Sequence, residues 1–324
     1  MLAAVVTEWG RHPVYTEVPE PEARDGAEVA EVEASALTNL TRALVSGKHY
    51  ASKEIHLPAI PGVDGIARLA DGRRIYTGAL GSSGMMAQRA LVQPDGGVEI
   101  PEHVDSVTAA ALPNPGISAW TALAHAAAVK PGDHVLVLGA TGVTGSMAVQ
   151  LATAMFGAGM VVAAGRNTER LAWLRSAGAH ATIAMGEQDL GAVVAQMHAE
   201  RPFDAVLDYL WGEPAAEALT ALAGAHPAAH YHPTGFVQIG SMAGPTLPLD
   251  AGVLRGTGIT LSGVGIGSVP PEVLVKARTE ALPELFQMVA DGRLELRTQP
   301  RALADVAEVW AGGEPSGTRV VLTP

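Results

Sequence analysis

The sequence has 324 residues, of which 48% are hydrophobic and 17% are charged, values typical of a two-domain globular chain with a large core and not of a disordered one. Its net charge of −12, without a local cluster of Lys and Arg, argues against a nucleic-acid partner. It has no cysteine, which excludes disulfides, thiol nucleophiles, iron–sulfur ligation and zinc sites that need a thiolate.

The N-terminal segment "MLAAVVTEWGRHPVYTEV" reaches a charge at Glu8 and has no basic residues before its short apolar run. It therefore predicts neither a signal peptide nor a membrane-spanning helix. We expect a cytoplasmic protein with no membrane partner.

Residues 1–117 are predicted to be rich in β-strands. Runs such as "EVAEVEASAL" and "GRRIYTGAL" are short, partly alternating and separated by Pro and Gly turns. This pattern is typical of a small barrel or sandwich.

Residues 118–267 alternate between strands and helices. The predicted strands are "HVLVLGA", "MVVAAG", "ATIAM", "FDAVLDYL", "GFVQIG" and "GITLSGVG", with helical segments such as "GSMAVQLATAMF" between them. This alternation predicts an α/β fold with a doubly wound parallel sheet. Residues 268–324 add a longer helix in "PEVLVKARTEALPELFQMVADG" and a closing strand in "TRVVLTP". Because this tail is too short for a domain, we expect it to fold back onto the first part.

The segment "VLVLGATGVTG" joins a buried strand to a helix through three glycines spaced by two residues each. Such a turn lets the backbone approach a pyrophosphate, packs the helix close to the strand and directs the helix N-terminus at the phosphates. A plain tight turn is the alternative, and the second strand "MVVAAG" at the proper distance favours a dinucleotide site. The predicted contacts are Gly139, Ala140, Thr141, Gly142, Val143, Thr144 and Gly145.

The end of that second strand indicates which dinucleotide binds. An NAD site has Asp or Glu there for the ribose 2′-hydroxyl, whereas this chain has Gly165, Arg166 and Asn167. Arg166 can form a forked pair with a 2′-phosphate, and Arg170 follows one helical turn later. The alternative is a solvated arginine at a helix start. We expect NADPH rather than NADH.

Four segments together resemble the zinc-independent quinone oxidoreductase branch of the medium-chain dehydrogenase/reductase superfamily. They are "ALPNPGISAWTALAHAAAVKPGDHVLVLGATG", "FDAVLDYLWGEPAAEAL", "GFVQIGSMAG" and "ADGRLELRTQPRALADVAEVWAGGEPSGTRVVLTP". The resemblance implies a β-rich GroES-like catalytic domain from residues 1–117 and 268–324 around a Rossmann domain of residues 118–267. It also implies a homodimer joined through the strand "GITLSGVG".

Zinc-bearing relatives have a ligand His where the segment "IPGVDG" has Val63. Polarisation of a carbonyl by a metal is therefore not expected at that site. Quinones and enones accept hydride without a strong Lewis acid, because conjugation spreads the developing negative charge. The predicted function is NADPH-dependent reduction of a quinone or an α,β-unsaturated carbonyl compound.

In the family, a segment of the form Asn-x-x-Asp followed by Ser-Gly and Tyr lines the substrate cleft. The segment "LTNLTRALVSGKHYASKEIHLP" has Thr38 at the Asn position and Thr41 at the Asp position, while His49 and Tyr50 compete for the Tyr position. Tyr50 is the expected proton donor and His49 the second candidate general acid. The alternatives are surface loop residues for this pair and hydroxyls bonded to their own backbone for the threonines.

Further site residues follow from position or from the resemblance. Asn114, between two prolines, either faces the nicotinamide or shapes a turn. The resemblance implies that Gly240 and Ser241 lie beside the nicotinamide ribose and that Gly265 lies beside the nicotinamide face.

Three alternatives remain open. His226, His230 and His232 in "AHPAAHYHPTG" suggest a metal site, but no carboxylate or thiol accompanies them locally. A short-chain or NmrA-like reductase also has a turn like "GATGVTG", although near residue 10 and with a Tyr-x-x-x-Lys pair that this chain lacks. An NADPH-binding sensor with little turnover is consistent with the altered residues at positions 38 and 41.

Overall fold

The computed structural model describes residues 1–24, 26–78, 83–225, 231–313 and 315–324. The chain forms two compact units, one made of Met1–Asn114 with Arg278–Pro324 and the other of Pro115–Ala277. Among the described residues, no helix combines the length and the apolar character needed to cross a membrane.

The N-terminal segment is mostly β-structure. Its strands are β1 (Leu2–Val5), β2 (Val14–Glu17), β3 (Glu28–Ala36), β4 (Asp64–Arg68), β5 (Arg74–Gly78), β6 (Arg89–Val92) and β7 (Val98–Glu99). Its helices are α1 (Asn39–Val45) and α2 (Ser106–Ala111), and short 3-10 helices cover Tyr50–Glu54 and Pro94–Gly96.

The middle of the chain alternates between helices and strands. The elements are α3 (Pro113–Thr121), β8 (His134–Leu138), α4 (Val143–Ala154), β9 (Met160–Gly165), α5 (Thr168–Ser176), β10 (Ala181–Ala184), α6 (Leu190–Glu200), β11 (Ala205–Asp208), α7 (Gly212–Ala225), β12 (Pro233–Gln238), α8 (Ala251–Arg255), β13 (Gly258–Gly263) and α9 (Pro271–Lys276). A π-helical segment, Ala122–Ala126, follows α3, and a 3-10 turn covers Ile266–Ser268.

The C-terminal segment contains α10 (Leu282–Ala290), β14 (Arg297–Ala302), α11 (Val306–Ala311) and β15 (Thr318–Thr323), with a 3-10 turn at Leu303–Asp305. Between α9 and α10 lies a π-helical segment, Ala277–Ala281. The predicted longer helix is therefore three successive helical segments.

The first unit is built on a seven-stranded sheet. Its order is β14-β15-β3-β4-β5-β7, with β6 paired to β3, and β1 pairs with β2 in a separate ribbon. The C-terminal strand β15 pairs antiparallel with β3, with Val321 opposite Ala36. One of its buried clusters joins residues from both ends of the chain, among them Val6, Leu37, Val306 and Trp310.

The second unit contains a six-stranded sheet in the order β10-β9-β8-β11-β12-β13, in which every neighbouring pair is parallel. This is the order of a doubly wound dinucleotide-binding fold, with the chain reversing direction across the sheet between β8 and β11. Apolar residues of alternate strand positions pack against α6 and α7, as Leu136, Val206 and Phe236 do. The predicted α/β class, with a Rossmann sheet and a separate β-rich unit, is confirmed.

A buried polar pair lies in the sheet of the first unit. Tyr76 donates a hydrogen bond of 2.8 Å from its hydroxyl to Oδ1 of Asp64, and both residues are buried. Burial raises the pKa of Asp64 to about 6, while the Tyr76 hydroxyl and the charge of Arg319 oppose the rise. Oδ2 of Asp64 has no hydrogen-bond partner among the described residues, so Tyr76 supplies a large share of the stabilisation of this carboxylate.

We predict that Tyr76→Phe destabilises the protein more at pH 8 than at pH 5. The folded-state pKa of Asp64 lies above the ordinary value of 3.8, so the stability that this group contributes is greatest below pH 3.8 and is lost as the pH rises through 6. Removing the donor raises that pKa further. We expect a loss of about 1 kcal/mol at pH 5, where the carboxyl is neutral, and about 3 kcal/mol at pH 8, where an ionised group is left without this bond.

Calorimetric unfolding of both proteins at the two pH values measures this difference. Tyr209→Phe is the matched control, because the Tyr209 hydroxyl is also buried but has no hydrogen-bond partner among the described residues. Its removal should cost nothing at either pH. An equal loss for Tyr76→Phe at pH 5 and pH 8 would contradict the role given to Asp64.

Candidate functional site

The carboxyl ends of β8 and β11 lie side by side in the sheet of the second unit, with Leu138 opposite Asp208. In open parallel sheets, ligands bind in the crevice outside the carboxyl ends, where the strand order reverses. The glycine turn after β8 therefore begins at the edge of the sheet where a ligand is expected to bind.

Each of the three glycines of the turn is required, or tolerated, for a different physical reason. Gly139 has φ +80°, a left-handed conformation that favours glycine. A Cβ at Gly145 would lie 2.3 Å from the carbonyl oxygen of Gly139, so a side chain there would push α4 away from β8. A Cβ at Gly142 would meet Gly139 oxygen at 3.4 Å, an ordinary contact. Backbone conformation thus explains Gly139, and close packing explains Gly145. Gly142 has neither reason and leaves the backbone open to an approaching group.

The N-terminus of α4 has the features of an anion site. Gly142 is its N-cap and provides no side-chain hydrogen bond to the helix amides. Val143 and Thr144 begin the helix and are half-buried, whereas Ala140 and Thr141 are buried. Twelve residues of helix follow, so the amides and dipole of the first turn favour a negatively charged ligand.

The end of β9 lies beside this turn, because a Cβ at Gly165 would lie 2.5 Å from Cγ2 of Thr141. Arg166 follows and is exposed. Asn167 is the N-cap of α5, and its Oδ1 accepts a hydrogen bond of 3.0 Å from the backbone amide of Arg170. The Arg170 side chain is buried, with its guanidinium 4.0 Å from the centre of the Trp173 ring. Of the two predicted arginines, Arg166 alone lies on the surface.

The other predicted cofactor residues follow β12 and β13. Gly240 leaves no room for a side chain, because its Cβ would lie 2.5 Å from the carbonyl oxygen of Tyr209. Ser241 is exposed beside it. Gly265 is exposed, with no atom within 4 Å of a Cβ built there.

Asp208, at the end of β11, was missed by the sequence interpretation. It is fully buried, and its Oδ1 accepts hydrogen bonds from the backbone amides of Leu210 at 2.8 Å and Trp211 at 3.1 Å. Burial raises its pKa to about 6, and the two amides oppose the rise. In the sequence, Asp208 could have been recognised as an acidic residue at the end of a run of buried apolar strand residues.

Tyr209 follows Asp208 and lies against the glycine turn, with its Cβ 3.3 Å from the position of a Cβ on Gly139. Its hydroxyl is buried and has no hydrogen-bond partner among the described residues, and burial raises its pKa. The open amides at the start of α4, directly after the glycine turn, fit a ligand rich in oxygen atoms. The residues of this edge therefore fit a dinucleotide.

The two predicted threonines of the first unit are buried at the start of α1. Thr38 is the N-cap, and its Oγ1 accepts a hydrogen bond of 3.1 Å from the backbone amide of Thr41. The two hydroxyl oxygens are 3.0 Å apart. Thr38 thus caps α1, as expected if its hydroxyl serves the local backbone and not a ligand. Thr41 also lines a cavity.

That cavity lies within the first unit and measures about 20 Å³, room for a water-sized group. Apart from Thr41, the residues that line it are largely apolar. They are Val6, Trp9, Leu44, Val45, Ile55, Leu57, Ala59, Ile60, Pro61, Gly62, Val63 and Gly84. Val63 forms part of this wall. A mostly apolar wall suits an uncharged group better than a charged one.

His49 and Tyr50 lie outside that wall. The ring of Tyr50 is 59% exposed and its centroid is 4.2 Å from that of His49. Nδ1 of His49 accepts a hydrogen bond from the backbone amide of Ala51, so the proton of the neutral ring is on Nε2. Both side chains can donate a proton, from Oη of Tyr50 and from Nε2 of His49.

Asn114 lies in the first turn of α3 rather than in an open turn. His226 and His230 of the histidine segment are outside the described residues. Nε2 of His232 lies 3.1 Å from Oδ1 of Asp204. Within the described part of the chain, no group of three or more His, Asp or Glu side chains has the arrangement of a metal site.

Several known proteins are similar to this chain in sequence or in structure. The zinc-binding dehydrogenase family matches residues 143–279. The chain is 26% identical to the "Probable NADPH-dependent quinone reductase tdiC" of Emericella nidulans, with 100% of both proteins covered. It is 32% identical to quinone oxidoreductase-like protein 2 of Bos taurus over 158 residues, which are 49% of this chain and 44% of that protein.

Among solved structures, the quinone oxidoreductase of Thermus thermophilus, described also in its complex with NADPH, is 27% identical to this chain. The alignment covers 100% of both chains with a TM-score of 0.77. Sequence and structure thus match quinone oxidoreductases over the full length of this chain, including the glycine turn. These comparisons support the predicted resemblance to the quinone oxidoreductase branch of the medium-chain dehydrogenase/reductase superfamily.

Proposed function

We propose that this protein is an NADPH-dependent reductase of quinones and of α,β-unsaturated carbonyl compounds. The observation that carries the proposal is the carboxyl edge of the second unit, where an uncapped helix N-terminus and the exposed Arg166 follow two adjacent strands. The names of its relatives support the same cofactor and the same class of substrate.

The second unit binds NADPH through the predicted residues. The amides at the start of α4 hold the diphosphate, and Arg166 pairs with the 2′-phosphate. When bound, NADPH supplies the hydride that reduces the substrate. The protein positions the dinucleotide and makes the site selective for its extra phosphate.

The first unit contacts the substrate through the apolar residues around Thr41, whose cavity of about 20 Å³ admits a water-sized part of the substrate and not the whole molecule. A quinone or enone is flat and uncharged, which suits such a wall better than an acid or a sugar does. The acceptor needs no metal, because its conjugated oxygen takes the developing charge. Tyr50 is the proposed proton donor to that oxygen, and His49 is the second candidate. Oη of Tyr50 and Nε2 of His49 each carry a proton, and no described residue accepts a hydrogen bond from either atom.

The proposed activity predicts a specific pattern of NADPH oxidation. Consumption of NADPH, followed at the nicotinamide absorbance, should occur with 1,4-benzoquinone, 9,10-phenanthrenequinone and small enones and not with simple ketones. EDTA should leave the rate unchanged. Tight NADPH binding without turnover of any acceptor would contradict this proposal and favour an NADPH-binding sensor.

Arg166→Ala is predicted to remove the preference for NADPH. Loss of a charge-assisted pair with the 2′-phosphate costs about 1.5 to 3 kcal/mol, so kcat/KM for NADPH should fall about ten- to a hundredfold while that for NADH stays the same. Arg175→Ala is the matched control, because Arg175 is an exposed arginine on α5, the helix that follows Arg166. Equal effects of Arg166→Ala on the two cofactors would contradict the assignment.

Tyr50→Phe is predicted to lower kcat at least about a hundredfold, the lower end of the range for a general acid. His49→Gln should have a smaller effect. Tyr231→Phe is a control, because Tyr231 is an exposed tyrosine of the second unit. If neither variant at positions 49 and 50 changes kcat with a quinone or an enone, the proton comes from solvent.

We also propose that the protein is a homodimer joined through β13. This strand forms one edge of the six-stranded sheet. Exposed apolar side chains lie near it: Leu254 and Ile266 are close in sequence, and a Cβ at Gly258 would lie 3.0 Å from Cε2 of Tyr231. A second copy related by a two-fold axis would pair this edge with itself and cover it.

Sedimentation equilibrium at micromolar concentration is predicted to give twice the chain mass of 33.3 kDa. A mass of one chain would contradict pairing through β13.

A further inference from the structure

The chain after β11 has a backbone conformation that calls for an explanation. Trp211 has φ +57° and Gly212 has φ +59°. Two successive residues in the left-handed region are uncommon, and a tryptophan rarely adopts it. Residues 208–212, named here the β11 loop, must therefore be held by specific contacts.

Asp208 supplies those contacts. Its Oδ1 accepts hydrogen bonds from the amides of Leu210 and Trp211 at 2.8 and 3.1 Å, and its Oδ2 lies 3.2 Å from the amide of Trp211. Both amides belong to the turn that enters the left-handed conformation. The carboxylate of Asp208 thus takes the place of a backbone acceptor inside the loop.

One side of the β11 loop lies against the glycine turn. A Cβ on Gly139 would be 3.0 Å from Cδ2 of Leu210 and 3.3 Å from Cβ of Tyr209. The amide of Tyr209 also donates to the carbonyl of Leu138, 3.1 Å away. A shift of the β11 loop would therefore displace the turn that begins at Gly139.

The other side of the β11 loop is bonded to the segment after β12. The carbonyl of Asp208 accepts hydrogen bonds from the amides of Ile239 at 2.8 Å and Gly240 at 3.1 Å. The carbonyl of Leu210 accepts one from the amide of Ala243 at 2.8 Å. The β11 loop thus links two segments that both carry proposed cofactor contacts.

We propose that Asp208 is a positioning residue of the dinucleotide site, which holds the β11 loop between the glycine turn and residues 239–243. This inference rests on the proposed binding of NADPH. The hydrogen-bond donors to the Asp208 carboxylate in the structure are backbone amides, which are neutral. The positioning role of Asp208 therefore depends on where its acceptor oxygens lie and not on its negative charge. Burial of the ionised group, which raises its pKa to about 6, is consistent with a residue kept for its position.

The experiment measures the Kd of NADPH by its fluorescence, with the melting temperature, for the wild type and the variants Asp208→Ala and Asp208→Asn. Asp208→Ala removes both acceptors and should raise Kd about ten- to a hundredfold. Asp208→Asn keeps Oδ1 and should bind within about threefold of the wild type. Should Asp208→Ala fail to fold, Asp208→Ser keeps a weaker acceptor and should raise Kd several-fold.

Asp204→Ala is the matched control. Asp204 lies just before the same strand, at the opposite edge of the sheet, and its Oδ2 also accepts a backbone hydrogen bond, from His134 at 2.7 Å. Asp204→Ala should lower the melting temperature and leave Kd within about twofold. This pair separates a loss of stability, which both variants share, from a loss of cofactor positioning.

Three results would overturn the inference. They are an unchanged Kd in Asp208→Ala or Asp208→Ser, an equal loss of affinity in Asp208→Asn and Asp208→Ala, and an equal loss in Asp204→Ala. A wild type that binds NADPH while the variants do not differ rejects this inference alone. A wild type that does not bind NADPH rejects the proposed function with it.

Discussion

Close packing of α4 against the end of β8 is the constraint on which the candidate cofactor site depends. A Cβ at Gly145 would lie 2.3 Å from the oxygen of Gly139 and 2.8 Å from Cα of Ala140, so the helix cannot start where it does with any larger residue. That contact brings the first-turn amides of α4 to the carboxyl edge of the sheet. Because peptide dipoles add along the helix, the same contact directs positive potential at this edge.

Two buried carboxylates illustrate how the protein keeps charge inside its two units. Asp64 and Asp208 both have a pKa raised to about 6 by burial. Asp64 is held by the Tyr76 hydroxyl, whereas Asp208 is held by amides of its own loop. Replacing either with an apolar residue would leave those donors unsatisfied. Each carboxylate therefore fixes a local backbone or side-chain geometry at a cost in solvation.

The wall of the cavity around Thr41 in the first unit is mostly apolar. Val63 contributes an apolar side chain to it, and Thr41 is its one hydroxyl-bearing residue. Such a wall suits acceptors that stabilise developing charge by conjugation within themselves. The lining of this wall provides no His, Asp or Glu side chain to a metal.

The sequence by itself determined the α/β class, the parallel sheet and the glycine turn, because apolar periodicity and glycine spacing are local properties of the chain. The tertiary structure decided which neighbours share a surface. Arg166 and Arg170 are equivalent as sequence, yet packing buries Arg170 against Trp173 and leaves Arg166 exposed. Thr41 reaches a cavity whose other walls come from distant segments. Asp208 gained its role from contacts with residues 239 and 240, because burial and hydrogen-bond partners depend on residues that are remote in the sequence.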